Sequence, residues 1–158
     1  MKTVIIYDSL YGNTERIARA IGEAIPGEVK VLRVGQVDAS ELKALDLLFV
    51  GSPTQGGRPT EAIQDFLGQG QMSSLEGAKV AAFDTRLTAK WVRMFGYAAG
   101  KIAGSVEANG RTLLGSPGGF FVKGRKGPLA EGEVERAAAW AKEIVKISGL
   151  DSGNRRAG

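Results

Sequence analysis

A chain of 158 residues with 43% hydrophobic residues is long enough for one packed domain with its own core. It contains no Cys and no His, which excludes thiol nucleophiles, disulfides, the usual structural zinc sites and histidine general bases. Chemistry then falls to hydroxyls, carboxylates, Lys, Arg or a bound cofactor. The net charge of +4 favours an anionic ligand or an acidic partner, while 7% aromatics with no interleaved basic stripe gives no case for nucleic acid. No apolar run is long enough for a bilayer, and strand-like sequence follows Lys2 directly where a signal peptide would have its apolar segment. The expectation is a cytoplasmic protein without membrane insertion.

Val4-Ile5-Ile6-Tyr7 is a continuous apolar run that predicts a strand buried on both faces. It leads through Asp8-Ser9-Leu10-Tyr11-Gly12-Asn13-Thr14 into an amphipathic helix carrying Ile17, Ala18, Ile21 and Ile25, which stops at Pro26-Gly27. A strand feeding a hydroxyl- and glycine-bearing turn at a helix start makes an anion site, because the first N–H groups of the helix have no internal partner and its dipole favours negative charge. An N-cap at Thr14 would explain one of these residues. Ser9, Tyr11, Asn13 and Thr14 together with Gly12 exceed what a cap needs and point to a phosphate cradle.

Val29 to Val34 alternates apolar residues with Lys30 and Arg33, as a strand near the sheet edge does. Asp38-Ala39-Ser40-Glu41 has capping-box spacing and predicts a short helix through Leu45. Leu47-Leu48-Phe49-Val50 is a second fully apolar strand. The loop Gly51-Ser52-Pro53-Thr54-Gln55-Gly56-Gly57-Arg58-Pro59 follows, with Pro59 in the first turn of a helix carrying Ile63, Phe66 and Leu67. Lys79 to Phe83 is the fourth strand and Asp84-Thr85-Arg86 its exit. A long helix with Met94, Ala98, Ile102, Ala103 and Val106 inside runs to Asn109-Gly110. Thr112-Leu113-Leu114 starts a fifth strand, which Gly115-Ser116-Pro117-Gly118-Gly119 interrupts or follows before Phe120-Phe121-Val122. The last helix, about Glu131 to Ile147, buries Val134, Ala137, Ala138, Ala141, Ile144 and Val145. Residues 149–158 read as a flexible basic tail on a domain spanning 1–148.

Five strands alternating with five helices specify an α/β domain with a doubly wound parallel sheet and helices on both faces. Such sheets bind ligands beyond the carboxyl ends of their strands, where the strand order reverses, and here the turns after the first, third and fourth strands are the polar, glycine-rich ones. The third strand ends in Val50-Gly51-Ser52, without a receiver domain's phosphoacceptor Asp, and the first loop lacks a phosphatase Cys. Neither the glycine-lysine nucleotide loop nor the dinucleotide fingerprint is present. A ligand with one terminal phosphate and a flat body remains.

Tyr7-Asp8-Ser9-Leu10-Tyr11-Gly12-Asn13-Thr14-Glu15 resembles the FMN-phosphate loop of the flavodoxin family, and Gly51 to Pro59 is similar to the ring-binding loop of flavodoxin-like proteins. The resemblance extends over about residues 1 to 148 and implies strand order 2-1-3-4-5. It implies noncovalent FMN, its phosphate on Ser9, Leu10, Tyr11, Gly12, Asn13 and Thr14. The isoalloxazine would lie between Pro53, Thr54, Gln55, Gly56 and Gly57 on one side and Asp84, Thr85, Arg86 and Leu87 on the other. The implied function is electron transfer between redox partner proteins. The alternative is an NAD(P)H:quinone oxidoreductase or other FMN-dependent reductase, because the second loop carries no aromatic and so leaves room for a substrate.

Two roles are open for Arg86: a cation that favours the reduced flavin and makes the potential less negative than is typical of the family, or a side chain that points to solvent or pairs with Asp84. Trp91, the aromatic nearest the third loop, reads as packing on the long helix more readily than as stacking on a ring. Lys123, Arg125 and Lys126 with Gly124 and Gly127 form a basic turn open to docking an acidic redox partner but read more readily as a solvated turn, Phe120-Phe121 as core and Trp140 as a helix–sheet contact. Lys90 and Arg93 are placed to attract a partner's carboxylates.

Overall fold

In the computed structural model, which describes residues 1–68, 72, 75, 77–87 and 97–150, the apolar runs become the centre of one parallel sheet. The elements are β1 (Lys2–Tyr7), α1 (Asn13–Ala24), β2 (Glu28–Arg33), β3 (Leu47–Pro53), α2 (Glu61–Gly68), β4 (Lys79–Leu87), α3 (Ala98–Ala108), β5 (Thr112–Leu113), β6 (Gly118–Val122) and α4 (Glu133–Ser148). The strand order is β2-β1-β3-β4-β5, with β6 also paired to β4. This is the 2-1-3-4-5 doubly wound arrangement expected from the sequence.

Helices cover both faces, and alternation along each strand divides the apolar side chains between them. Ile5, Phe49 and Phe83 pack with Ile17 and Ile21 of α1 and Ala137, Ala141 and Ile144 of α4. Val4, Ile6, Leu48 and Val50 pack with Ile63 and Phe66 of α2 and Ile102 and Val106 of α3. Each fully buried Ile, Leu or Phe contributes roughly 1.5–3 kcal/mol, so the central strands fix the register on which the loops are mounted. Trp140 is the helix–sheet contact foreseen, edge-on to Phe49 at 5.6 Å and Phe120 at 5.9 Å between ring centres. Phe120 is core, whereas Phe121 is half-buried.

Three local expectations are corrected and one open alternative is resolved. Where a short helix was expected from Asp38 to Leu45, the chain makes 3-10 turns at Val34–Gln36 and Ala39–Leu42. The Asp38 carboxylate accepts from the Ser40 N–H at 3.2 Å, and Glu41, instead of closing a capping box, reaches Lys30 on β2 at 2.9 Å. Pro59 precedes α2 and does not lie in its first turn: Thr60 caps the helix, its carbonyl accepting from Gln64 N–H and its hydroxyl from Ile63 N–H. Asp84, Thr85 and Arg86 belong to β4, because Ser52 and Pro53 on one side and Gly119 to Phe121 on the other supply strand partners beyond Phe83. Finally, β5 and β6 are two pieces of one edge position, pairing with the start and the end of β4. The segment 114–117 interrupts the strand, held by Leu114 N–H on Val80 O and by the Trp140 indole N–H on Ser116 O.

Met94 and the tail residues 151–158 lie outside the described residues. No helix among the described residues is long and apolar enough to cross a membrane.

Candidate functional site

The carboxyl ends of β1, β3, β4 and β6 open onto a cavity of about 400 Å³, within the ~300–1,000 Å³ typical of small-molecule sites. It is lined by Ser9, Leu10, Tyr11, Asn13 and Thr14 from the first loop, Pro53, Thr54, Gln55 and Gly56 from the second, and Thr85, Arg86 and Leu87 from the end of β4. The three turns singled out in the sequence thus meet at one place. Gly12, Gly57 and Asp84 do not line it; Val122 and Arg125 do. Arg125 was read as part of a solvated turn. Its place on the wall follows from β6 pairing with the far end of β4, a long-range register that the local sequence does not display.

At one end, Gly12 starts α1 with φ 91°, a conformation that a β-branched residue resists. No side chain of the helix's own first turn caps it. Instead the Ser9 hydroxyl accepts from Gly12 N–H at 3.1 Å and Glu15 N–H at 3.4 Å. The N–H groups of Leu10, Tyr11, Asn13 and Thr14 have no acceptor among the described residues. That is a cluster of donors at the positive end of a helix, the arrangement that binds anions. Thr14 is not an N-cap: it is buried in the helix and its hydroxyl meets that of Thr85 at 2.8 Å. Arg33 braces the loop from outside, donating to Ser9 O at 2.9 Å and pairing with Asp8 at 3.3 Å.

At the other end, Gln55 and Arg58 exchange backbone hydrogen bonds of 2.8 and 2.9 Å around Gly56 and Gly57, whose φ values are 55° and 79°. Two successive positive φ values define a type I′ turn, which glycine adopts at little cost. Thr54 N–H donates to Thr85 O at 2.9 Å, tying this turn to β4. Gly51, directly beneath, lies under the Phe83 ring, where a Cβ would sit 2.1 Å from Cζ.

Asp84 is fully buried behind the cavity wall and accepts from Arg86 Nε and Nη2 and from Ala99 N–H at 2.9 Å, with the Thr54 hydroxyl also facing it. Burial pushes its carboxyl above the usual carboxylate range, against the pull of Arg86, Ala99 and Thr54. The Arg86 guanidinium lies over the Tyr97 ring at 3.6 Å and against Gly119, where a Cβ would come within 2.3 Å of it. Of the two roles open for Arg86, the structure has it paired with Asp84. Trp91, Lys90 and Arg93 lie outside the described residues.

The sequence pattern of a family described as "Flavodoxin domain" matches residues 4–126. A flavodoxin of Clostridium saccharobutylicum is 32% identical over 89 residues, 54% of this chain and 56% of that protein. A probable flavodoxin 1 of Bacillus subtilis (strain 168) is 33% identical over 87 residues, 52% and 54% of the two chains. The aligned stretch spans about half the length of each relative. The solved structure of a flavodoxin from the Archaea superposes with a TM-score of 0.79 at 24% identity, covering 94% of this chain and 99% of that one. With the family pattern spanning most of the chain and the strand order matching, the chain belongs to the flavodoxin family.

Proposed function

We propose that the cavity binds FMN without a covalent link and that the protein carries electrons between redox partners. One observation carries this reading: acceptor-free N–H groups of the first loop and a glycine-glycine turn stand at opposite ends of one cavity. The donor set fits the group. A dianionic phosphate suits the N–H groups of Leu10, Tyr11, Asn13 and Thr14 and the hydroxyl of Ser9, whose proton is available because its oxygen serves as acceptor. A flat ring suits a slot bounded by Pro53, Gly56, Leu87 and Val122.

When bound, FMN supplies reversible one- and two-electron chemistry. The chain orients it with the helix end and the type I′ turn, and the apolar walls exclude water from part of the slot. Backbone groups at Gly56 are reachable by a ligand because no side chain covers them. A reductase with its own substrate is not favoured: the named relatives are flavodoxins.

Titration of the purified chain with FMN, followed by quenching of flavin fluorescence, tests the site. A bound yellow complex is expected, and a colourless chain that leaves FMN fluorescent overturns the reading. NADPH and a quinone, without added reductase, are expected to give no sustained turnover; robust turnover makes the protein an enzyme.

A further inference from the structure

Resting on that reading, we propose that the rim formed by Leu10, Tyr11 and the turn at 123–127 is a docking surface for an electron-transfer protein that is acidic around its own redox centre. Leu10 and Tyr11 are 48% and 47% exposed, and both also line the cavity. Apolar surface is therefore presented to solvent beside the cavity that would hold the cofactor. Large exposed hydrophobic side chains are otherwise represented, among the described residues, by Ile147 on α4.

The turn beside them is basic and built into the site. Lys123, Arg125 and Lys126 are exposed, and none has a carboxylate partner among the described residues. No Asp or Glu occurs anywhere between Ala108 and Ala130. The nearest carboxylates of the first loop are already engaged: Asp8 and Glu15 by Arg33, and Glu15 also by Arg19. The turn is fastened to the phosphate-loop side by Asn13 Nδ2 donating to Lys126 O at 3.2 Å, and Lys126 Nζ stands 6.0 Å from the Tyr11 ring centre. The cations therefore sit at a fixed place beside the apolar patch. Three uncompensated positive charges around an exposed apolar contact complement carboxylates around a partner's apolar centre, and such pairs are steered together at low salt.

The test uses one haem in two charge forms: cytochrome c in its native lysine-rich state and after succinylation of its lysines. Oxidation of the reduced FMN-loaded protein is followed by stopped flow. The succinylated form is expected to react faster at low salt by on the order of tenfold, with the advantage lost at high salt. Lys123→Glu with Lys126→Glu is expected to reverse the order, and Lys123→Gln with Lys126→Gln to abolish it. Lys142→Glu with Lys146→Glu makes the same charge change toward the end of α4, which lies by the amino end of β4, away from the cavity at the carboxyl ends, where Lys79 Nζ meets Ser148 O; that variant is expected to keep the preference. A preference for native cytochrome c, no preference, or equal effects of the two Glu pairs overturns the proposal. FMN titration of each protein separates the two failures. A chain that takes no FMN defeats the cofactor reading and this one with it, whereas an FMN-loaded chain with the wrong charge order defeats this one alone.

Discussion

The guanidinium of Arg86 grips the carboxylate of Asp84, two residues back on the same face of β4, through paired contacts of 2.7 and 2.8 Å. Asp84 has no exposed surface, and the Arg86 side chain is 17% exposed. The cation that the sequence offers to the cofactor is thereby spent largely on a buried partner. Removing Arg86 strands a buried carboxylate, a change that costs about 3–5 kcal/mol in comparable pairs. Arg86→Ala is therefore expected to lower the urea midpoint strongly, and adding Asp84→Ala to recover much of the loss. Asp84→Asn leaves the cation unpaired and is expected to raise the FMN potential by ~40–90 mV, equivalent to roughly 1–2 kcal/mol. Potentiometric titration checks this, and an unchanged or lower potential contradicts it.

Thr14 and Thr85 join the helix that follows the first loop to the end of β4 through their hydroxyls at 2.8 Å, across 71 residues of sequence. Both are buried. Truncating either leaves the other hydroxyl without its protein partner, so Thr14→Ala and Thr85→Val are each expected to cost about 1–2 kcal/mol of stability. The double variant is expected to cost less than the sum by ~0.5–1.5 kcal/mol in a denaturation cycle. Full additivity shows that the two loops are not coupled through this contact. Thr14→Ala is also expected to weaken FMN binding by about 1–2 kcal/mol, read by titration.

Gly127 has φ 105°, and a Cβ there would lie 2.6 Å from Asn13 Oδ1. Gly127→Ala is therefore expected both to destabilise the chain by roughly 1–3 kcal/mol and to displace Asn13 from the first loop, weakening FMN binding. Thermal melts and FMN titration together check it. A loss of stability with undiminished FMN affinity removes Asn13 from the binding set.

Glu133, at the start of α4, accepts from Phe121 N–H at 2.7 Å and pairs with Arg136, which also donates to Gly119 O. The hydrogen-bonded Arg136, aided by Phe121 N–H, holds its carboxyl below the usual 4.5 despite partial burial. A depressed native value means that the unfolded chain binds the proton more readily. The stabilisation is thus fully present above pH 4.5 and fades as the pH falls through the native value. Glu133→Gln is expected to be less stable than wild type at neutral pH by ~1–2 kcal/mol, with the gap closing on acidification. Urea titrations at several pH values check the sign.

The sequence by itself determined the sheet and most of the residues that line the cavity. Continuous apolar runs at Val4 to Tyr7 and Leu47 to Val50 can only be buried on both faces, and helical periodicity between the strands forces crossovers. The turn from Ser9 to Thr14 was legible as a polar, glycine-bearing loop at a helix start, because that chemistry is written in adjacent residues.

Tertiary structure decided what depends on a partner strand. Asp84, Thr85 and Arg86 became strand because β3 and β6 flank them, and that pairing turned Asp84 inward onto Ala99 and Arg86 onto Tyr97 and Gly119. The same pairing carried Arg125 to the cavity wall and set the basic turn against Asn13. Strand register fixes which side chains face each other across more than thirty residues of sequence, and no local pattern encodes such a distance.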